Sequence, residues 1–312
     1  MVETPVLYIT FARPEYASQS FAAIKKAQPK KLYFYSNKAR TDRPDEVARN
    51  EEVRSYVKQI DWDCEVKTWF REEYVDVFTS IWGAIDWIFD NEESACVIEE
   101  DVVASLAFFD YIDKLIPQYS NNGKVWIISG NNGAPKYNPA NCSYFFSHNM
   151  DIYGWASWRR VWKSLDKNMS EWPLKRKQKT LKKVWHSNII AYWHKYIFNK
   201  IYKQIDKYNP WDGIFMYNME HKNGYCITPL ENLCSDRGVA GANHNMQEKS
   251  LFYDVHTKKP FYDITNPPLK IESTSFDKKY VINVRLKDAV VRNVKRVLFT
   301  KLYNLKSATY RV

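Results

Sequence analysis

Across positions 5–150, short apolar runs rich in β-branched and aromatic residues alternate with longer stretches whose apolar residues recur every three or four positions. PVLYITF, KLYFYSN, CEVKTWF and ACVIEED read as strands, and the stretches near 15–27, 45–60 and 75–90 as helices. That alternation predicts a parallel sheet with covering helices. VWIISGN at 125–131 and SYFFSH at 143–148 continue the strand pattern. From about 157 the texture changes to Trp- and Lys-rich helices, then to a mixed segment at 211–245. A Pro- and Lys-containing stretch near 257–280 reads as loop or linker and leads into a final basic helix. No internal repeat or low-complexity tract interrupts the chain.

Ligands of open α/β sheets bind beyond the carboxyl ends of the strands. Three such ends carry polar chemistry: Thr10-Phe11-Ala12-Arg13, Ser36-Asn37-Lys38 and Glu99-Glu100-Asp101. The last is an apolar run that stops on three consecutive carboxylates. Such neighbours repel one another, so the strand end wants a cation. Mg²⁺ or Mn²⁺, held by one or two carboxylates and by phosphate oxygens, suits the arrangement. The alternative is a solvated acidic strand end, which ACVI before the triplet and Phe108-Phe109 after it make less comfortable.

Composition narrows the class. With 45% hydrophobic and 16% aromatic residues in 312, the chain is globular and can bury a substantial core. A formal charge of +10 favours an anionic partner without choosing among nucleic acid, an acidic membrane face and a phosphorylated substrate. Five well-separated cysteines with no CxxC pair suggest neither zinc nor a disulfide framework, and imply free thiols in a reducing cytosol. The start MVETPVLYITF lacks the features of a signal peptide, and no stretch approaches the roughly 18 apolar residues of a membrane span. A cytoplasmic protein, soluble or peripheral at the inner membrane face, is expected. Asn141-Cys-Ser matches a glycosylation acceptor, a pattern short enough to arise by chance.

The run VIEEDVVASLAFFDYIDKLIPQY resembles the metal-binding segment of GT-A glycosyltransferases, of the Glu-Asp-Asp type found in N-acetylglucosaminyltransferase I and bacterial relatives. PVLYITFARPEYASQSFAAIKKAQPKKLYFYSN, QIDWDCEVKTWFRE, DIYGWASWRRVW and WDGIFMYNMEHKNGYCITPLENLCSDRGVAGANH resemble further pieces of the bacterial group in the same order. Together they reach from residue 5 to about 245. Glu100 stands where the family usually has Asp, and EYVDV follows WFRE where an Asn-Leu-Gly turn is usual.

The resemblance implies a GT-A, Rossmann-like α/β domain over 1–250, its nucleotide-sugar half at about 1–150 and its acceptor half at about 151–250. Residues 251–312 would form a C-terminal extension. It implies a metal-dependent transfer of sugar from a nucleotide diphosphate, most simply a UDP-sugar, to a saccharide or lipid-linked saccharide in polysaccharide or glycan synthesis. Asp101 would hold Mn²⁺ or Mg²⁺, with His244 approaching the metal. Glu99 and Glu100 would position metal waters or donor hydroxyls. Arg13 and Asn37 would contact the nucleotide, Arg237 the diphosphate, and Trp155 the sugar face. Asp212, in WDGIF, corresponds to the base that deprotonates the acceptor hydroxyl; a helix N-cap is its alternative role. A single base with no enzyme nucleophile inverts the anomeric centre.

Two basic segments remain. Six of the residues from Lys175 to Lys183 are Lys or Arg, a solvated face or a receiver of an anionic acceptor. Near the C-terminus Val290, Val294, Leu298, Leu302 and Leu305 recur at helical spacing among Arg292, Lys295, Arg296 and Lys301, a basic amphipathic helix suited to an anionic membrane or to packing on the body. Against the transferase stand two other classes. A sugar nucleotidyltransferase would carry a Gly-rich phosphate loop after the first strand, and TFARPEYAS has no glycine. A nucleic-acid or polyanion binder accounts for the charge, but acids at a strand end repel phosphate unless a metal intervenes, and no nucleic-acid motif is present.

Overall fold

The computed structural model describes residues 1–238, 264 and 274–287. Its first part is β1 (Val6–Thr10), α1 (Pro14–Ala27), β2 (Lys31–Ser36), α2 (Pro44–Ser55), β3 (Glu65–Phe70), α3 (Val77–Asn91) and β4 (Ser94–Glu99). Next come β5 (Val102–Ala104), α4 (Leu106–Gln118), β6 (Val125–Ser129), β7 (Tyr144–Ser147) and β8 (Trp155–Trp158). A helical part follows: α5 (Arg159–Trp162), α6 (Trp172–Lys175), α7 (Thr180–Trp185), α8 (Asn188–Tyr202) and α9 (Trp211–His221). The last elements are β9 (Tyr225–Pro229), β10 (Cys234–Asp236) and α10 (Thr274–Tyr280), which runs into a π-helical turn at Val281–Leu286.

Eight strands form one sheet in the order β3-β2-β1-β4-β8-β6-β9-β7, and β5 and β10 pair in a separate ribbon. β3, β2, β1 and β4 are parallel. β8 runs antiparallel between β4 and β6, β9 is parallel to β6, and β7 closes the sheet antiparallel to β9. This is the α/β class the alternation predicts, a mostly parallel central sheet with covering helices.

The strand order positions the site. From β1 the chain steps outward to β2 and β3, then returns to place β4 on the other side of β1. At that reversal the two connections leave in opposite directions, opening a crevice beyond the carboxyl ends of β1 and β4. Ile9 pairs with Glu99, so the segment carrying Arg13 and the acidic triplet emerge on the same edge.

The core explains why these elements form. All five residues of β1 and five of six in β2 are buried, as expected of strands covered on both faces. α1 presents Ala17, Phe21 and Ile24 to the sheet at helical spacing. α3 starts at Asp76, whose carboxylate accepts from the amides of Phe78 and Thr79, and α4 at Ser105, whose hydroxyl accepts from Phe108 N. Such caps stabilise a helix by roughly 1 kcal/mol.

Two expectations are corrected. The helical texture expected from about 157 starts after Trp158: Ser157 and Trp158 close β8, all four of whose residues are buried, and a strand buried on both faces lacks the alternation that marks one in sequence. The stretch read as linker near 257–280 ends in α10. There buried Asp277 accepts from Ser147 Oγ, His148 N and Asn149 Nδ2, while Tyr280 and Arg285 both reach Asp151 Oδ1, at 2.6 and 3.0 Å. These bonds fasten residues 274–287 to β7 and the loop after it. The basic helix expected around 290–305 lies outside the described residues. Among the described residues no helix is long and apolar enough to cross a membrane.

Candidate functional site

The three acids take separate places. Glu100 turns inward, only 3% exposed, and receives Phe11 N at 2.7 Å on one oxygen and Arg13 Nε at 2.6 Å on the other. Its carbonyl accepts from Ser20 Oγ of α1 at 2.8 Å. Burial pushes Glu100 upward, and Arg13 and the Phe11 amide oppose that. Glu100 therefore locks the end of β4 to the end of β1 and aims Arg13. The same guanidinium reaches Asp101 Oδ2 at 3.0 Å. Arg13 is thus the bridge between two of the acids.

Glu99 and Asp101 face the crevice with more negative charge around them. Glu99 is pushed up to about 8, by burial first and then by Asp101, Asp236 and Asp212, with Arg13 pulling the other way. Asp236 arrives through the β5–β10 ribbon, paired opposite Val102. Arg237 N then donates to the Asp101 carbonyl at 2.8 Å, and Gly238 N to Asp236 Oδ1 at 2.9 Å. Gly238 shows how the two carboxylates converge. A Cβ there would stand 2.5 Å from Asp101 Oδ2 and 3.2 Å from Asp236 Oδ1, so a side chain would occupy the space they share.

Asp212 comes from the helical half, in the first turn of α9. The cap position is held by Pro210, which corrects the capping alternative for Asp212. A carboxylate in the first turn is favoured by the helix dipole. Beneath it, Trp211 stacks on Trp155 with ring centres 4.9 Å apart and planes at 25°. Gly213 lets α9 approach α8, because a Cβ would lie 2.6 Å from Ile201 Cδ1.

This donor set suits a hard divalent cation. Among the described residues the candidate ligands are carboxylate oxygens, and one oxygen each of Asp101 and Asp236 lies beside Gly238. Among the described residues no three His, Cys, Asp or Glu side chains form a complete metal cage. Mg²⁺ and Mn²⁺ bound with a nucleotide take one or two carboxylates and fill their remaining positions with phosphate oxygens and water, which the pair here can accommodate.

Several residues expected at the site have other surroundings. Asn37 is 5% exposed and its side chain is engaged with the backbone: Nδ2 donates to Val75 O at 2.8 Å, and Oδ1 accepts from Lys38 N at 3.0 Å. It shapes the loop between β3 and α3. Trp155 is wholly buried, so its face is covered by Trp211, and it supports the helix that carries Asp212. Arg237 is joined to the site through its backbone amide. His244 lies outside the described residues. Asp236 was not singled out in the sequence; its signal is the Ser-Asp-Arg-Gly stretch, and only the pairing of β10 with β5 carries it to the triplet. Tyr153 was also missed. It is pushed upward by burial and by Asp236, with Arg285 opposing.

No protein-family model matches the chain, and no curated protein matches it by sequence. Solved structures similar to it include 4-diphosphocytidyl-2C-methyl-D-erythritol synthase from Anaerococcus prevotii, at 7% identity over 80% of this chain and 94% of that one, with a TM-score of 0.36. The glycosyltransferase GlyE from Streptococcus pneumoniae is similar at 7% identity over 72% of this chain and 45% of its own, TM-score 0.33. UDP-glucose pyrophosphorylase complexed with UDP-glucose is similar at 9% identity over 52% of this chain and 71% of its own, TM-score 0.27. Scores this low assign neither a family nor an activity.

Proposed function

We propose that the protein transfers a sugar from a nucleotide diphosphate donor, most simply a UDP-sugar, to a hydroxyl of a saccharide or lipid-linked saccharide, with inversion at the anomeric carbon. The observation that carries this reading is the gathering of Glu99, Asp101, Asp236 and Asp212 at the crevice between β1 and β4, with Arg13 opposing their charge on Glu99. Several carboxylates gathered at a strand-order reversal suit a cation-bound diphosphate. A divalent cation held by Asp101 and Asp236 would neutralise the diphosphate as it leaves.

The chain's own residues divide the remaining work. Glu100 and Arg13 hold the end of β4 in place. Glu99, beside the two cation-holding carboxylates, can hydrogen-bond to a hydroxyl of the sugar. Asp212 approaches from the opposite half of the molecule, where an acceptor hydroxyl would enter, and serves as the base that takes its proton. His244 and Arg237 remain expectations for the diphosphate side, and Asn37 acts on the nucleotide through the loop it holds.

Replacing the base while keeping the fold separates chemistry from binding. Asp212→Asn should lower turnover of the matching nucleotide sugar by roughly 10²–10⁴-fold while donor affinity stays within a few-fold of wild type. Anomeric analysis of the product by NMR reads the stereochemistry. Turnover unchanged in Asp212→Asn would remove Asp212 from the role of base.

A further inference from the structure

Outside the crevice, the largest unexplained feature is the outer face of α6–α8. α8 buries Ile190, His194, Phe198 and Ile201 on one side. At about 100° per residue its opposite side carries Ile189, Tyr192 and Tyr196, and these are 68%, 74% and 56% exposed. A helix needs one apolar stripe to pack on its protein, and α8 has a second one facing out. Leu174, at the adjoining α6, adds a further apolar tip, 71% exposed.

Cations surround this ridge. A groove of about 150 Å³ between α6–α7 and α8 is lined by Lys175, Arg176, Lys179, Lys182 and Lys195, with Tyr192 at its edge. Lys175 is paired with Glu171. Lys179, Lys182 and Lys195 are exposed. Apolar tips ringed by lysines are the chemistry of an interfacial helix, whose aliphatic and aromatic residues enter the acyl boundary while the cations meet anionic headgroups.

We infer that the α6–α8 face docks on an anionic lipid surface, with Ile189, Tyr192 and Leu174 inserted and Lys179, Lys182 and Lys195 on headgroups. Among polyanions a lipid surface fits best, because Leu174 and Ile189 are aliphatic and cannot stack on bases as a single-strand binder requires. A second copy of the chain fits poorly, since a two-fold contact would bring the same lysines together. The inference is independent of the reaction at the crevice and of the residues beyond 287.

The test is co-sedimentation of the full chain with vesicles of phosphatidylcholine alone and of phosphatidylcholine mixed with phosphatidylglycerol. Binding is expected to the mixed vesicles and not to the neutral ones. With each surface lysine worth about 1 kcal/mol, Lys179→Gln with Lys182→Gln should weaken that binding roughly thirtyfold. Ile189→Ser with Tyr192→Ser should weaken it at unchanged charge, which a purely electrostatic attachment would not show. Circular dichroism verifies that both double variants are folded. Four results would overturn the proposal: no binding to the mixed vesicles, binding that survives both double variants, tighter binding to polyuridylate lost in the same variants, or self-association lost in the same variants.

Discussion

Glu220 in the helical half and the acids beyond the end of β4 are surrounded in different ways. In the helical half Glu220 is fully buried, with His194 Nδ1 2.7 Å from one oxygen and Trp185 Nε1 donating to the other at 3.0 Å. The indole and imidazole also pack on each other, ring centres 4.5 Å apart. This acid thus accepts the indole N–H on one oxygen and has the imidazole against the other. At the strand end, Arg13 serves both Glu100 and Asp101, while Asp101, Asp236 and Asp212 all raise Glu99. A buried acid enclosed by an indole donor and an imidazole helps hold a structure together. Acids gathered beyond a strand end push one another's protonation upward, as Glu99 shows, and in the proposed function they would receive a cation.

The comparison breaks most visibly if the two groups are cut in turn. Glu220→Ala leaves His194 and Trp185 without their buried acceptor, and should reduce unfolding stability by about 3–5 kcal/mol, the range for breaking a buried pair. Asp101→Asn removes one of several repelling charges, and urea unfolding should show it as stable as wild type or more so. Equal losses in both variants would mean that the strand-end acids are structural as well.

A smaller effect separates packing from charge. Gly154 has φ +77°, and a Cβ on it would stand 2.5 Å from Cys234 Sγ of β10. Gly154→Ala strains the backbone and pushes on the ribbon that brings in Asp236, so thermal unfolding should report a loss of about 1–3 kcal/mol. Donor binding by the folded variant should fall as well. Stability lost with donor binding unchanged would show that Asp236 is not part of the site.

The two regions also differ in the sign of their pH dependence. Glu99 is raised from its ordinary 4.5 to about 8, so its contribution to stability is complete below 4.5 and is lost as pH climbs towards 8. Glu99→Gln should flatten that alkaline decline. In the helical half, burial lowers His221 from 6.5. Its contribution is present above 6.5 and is lost as pH falls below it, the reverse slope. Melting temperatures across pH 4–9 for wild type, Glu99→Gln and His221→Gln would resolve the two. A decline between pH 4.5 and 8 unaffected by Glu99→Gln would contradict the assignment of mutually repelling acids to the strand end.

Much of the parallel half was legible in the sequence because its elements obey local rules. β1 and β2 are apolar runs, α1 has a Pro at its start and one apolar face, and α3 and α4 begin at Asp76 and Ser105. The apolar run before it marks Glu99-Glu100-Asp101 as a strand end, where open α/β sheets meet their ligands. What could not be read depends on contacts distant in sequence. Asp236 reaches Asp101 through a three-residue pairing across more than a hundred positions. Asn37 looks like a nucleotide contact until Val75 is seen to occupy its side chain. Trp155 looks like a sugar platform until Trp211 covers it. α10 lay hidden in a stretch read as linker, since its anchor, Asp277, is explained by Ser147, His148 and Asn149 rather than by its own neighbours.

The most direct test of the central claim, that the excess carboxylates at the end of β4 receive a cation and a nucleotide diphosphate, is calorimetric titration of UDP into wild type and Asp101→Ala, each with and without Mn²⁺. The account predicts binding by wild type that requires Mn²⁺ and is lost in Asp101→Ala, and a panel of UDP-sugars titrated next would begin to identify the donor. Binding by Asp101→Ala as tight as by wild type, or no binding of any nucleotide with any divalent metal, would contradict it.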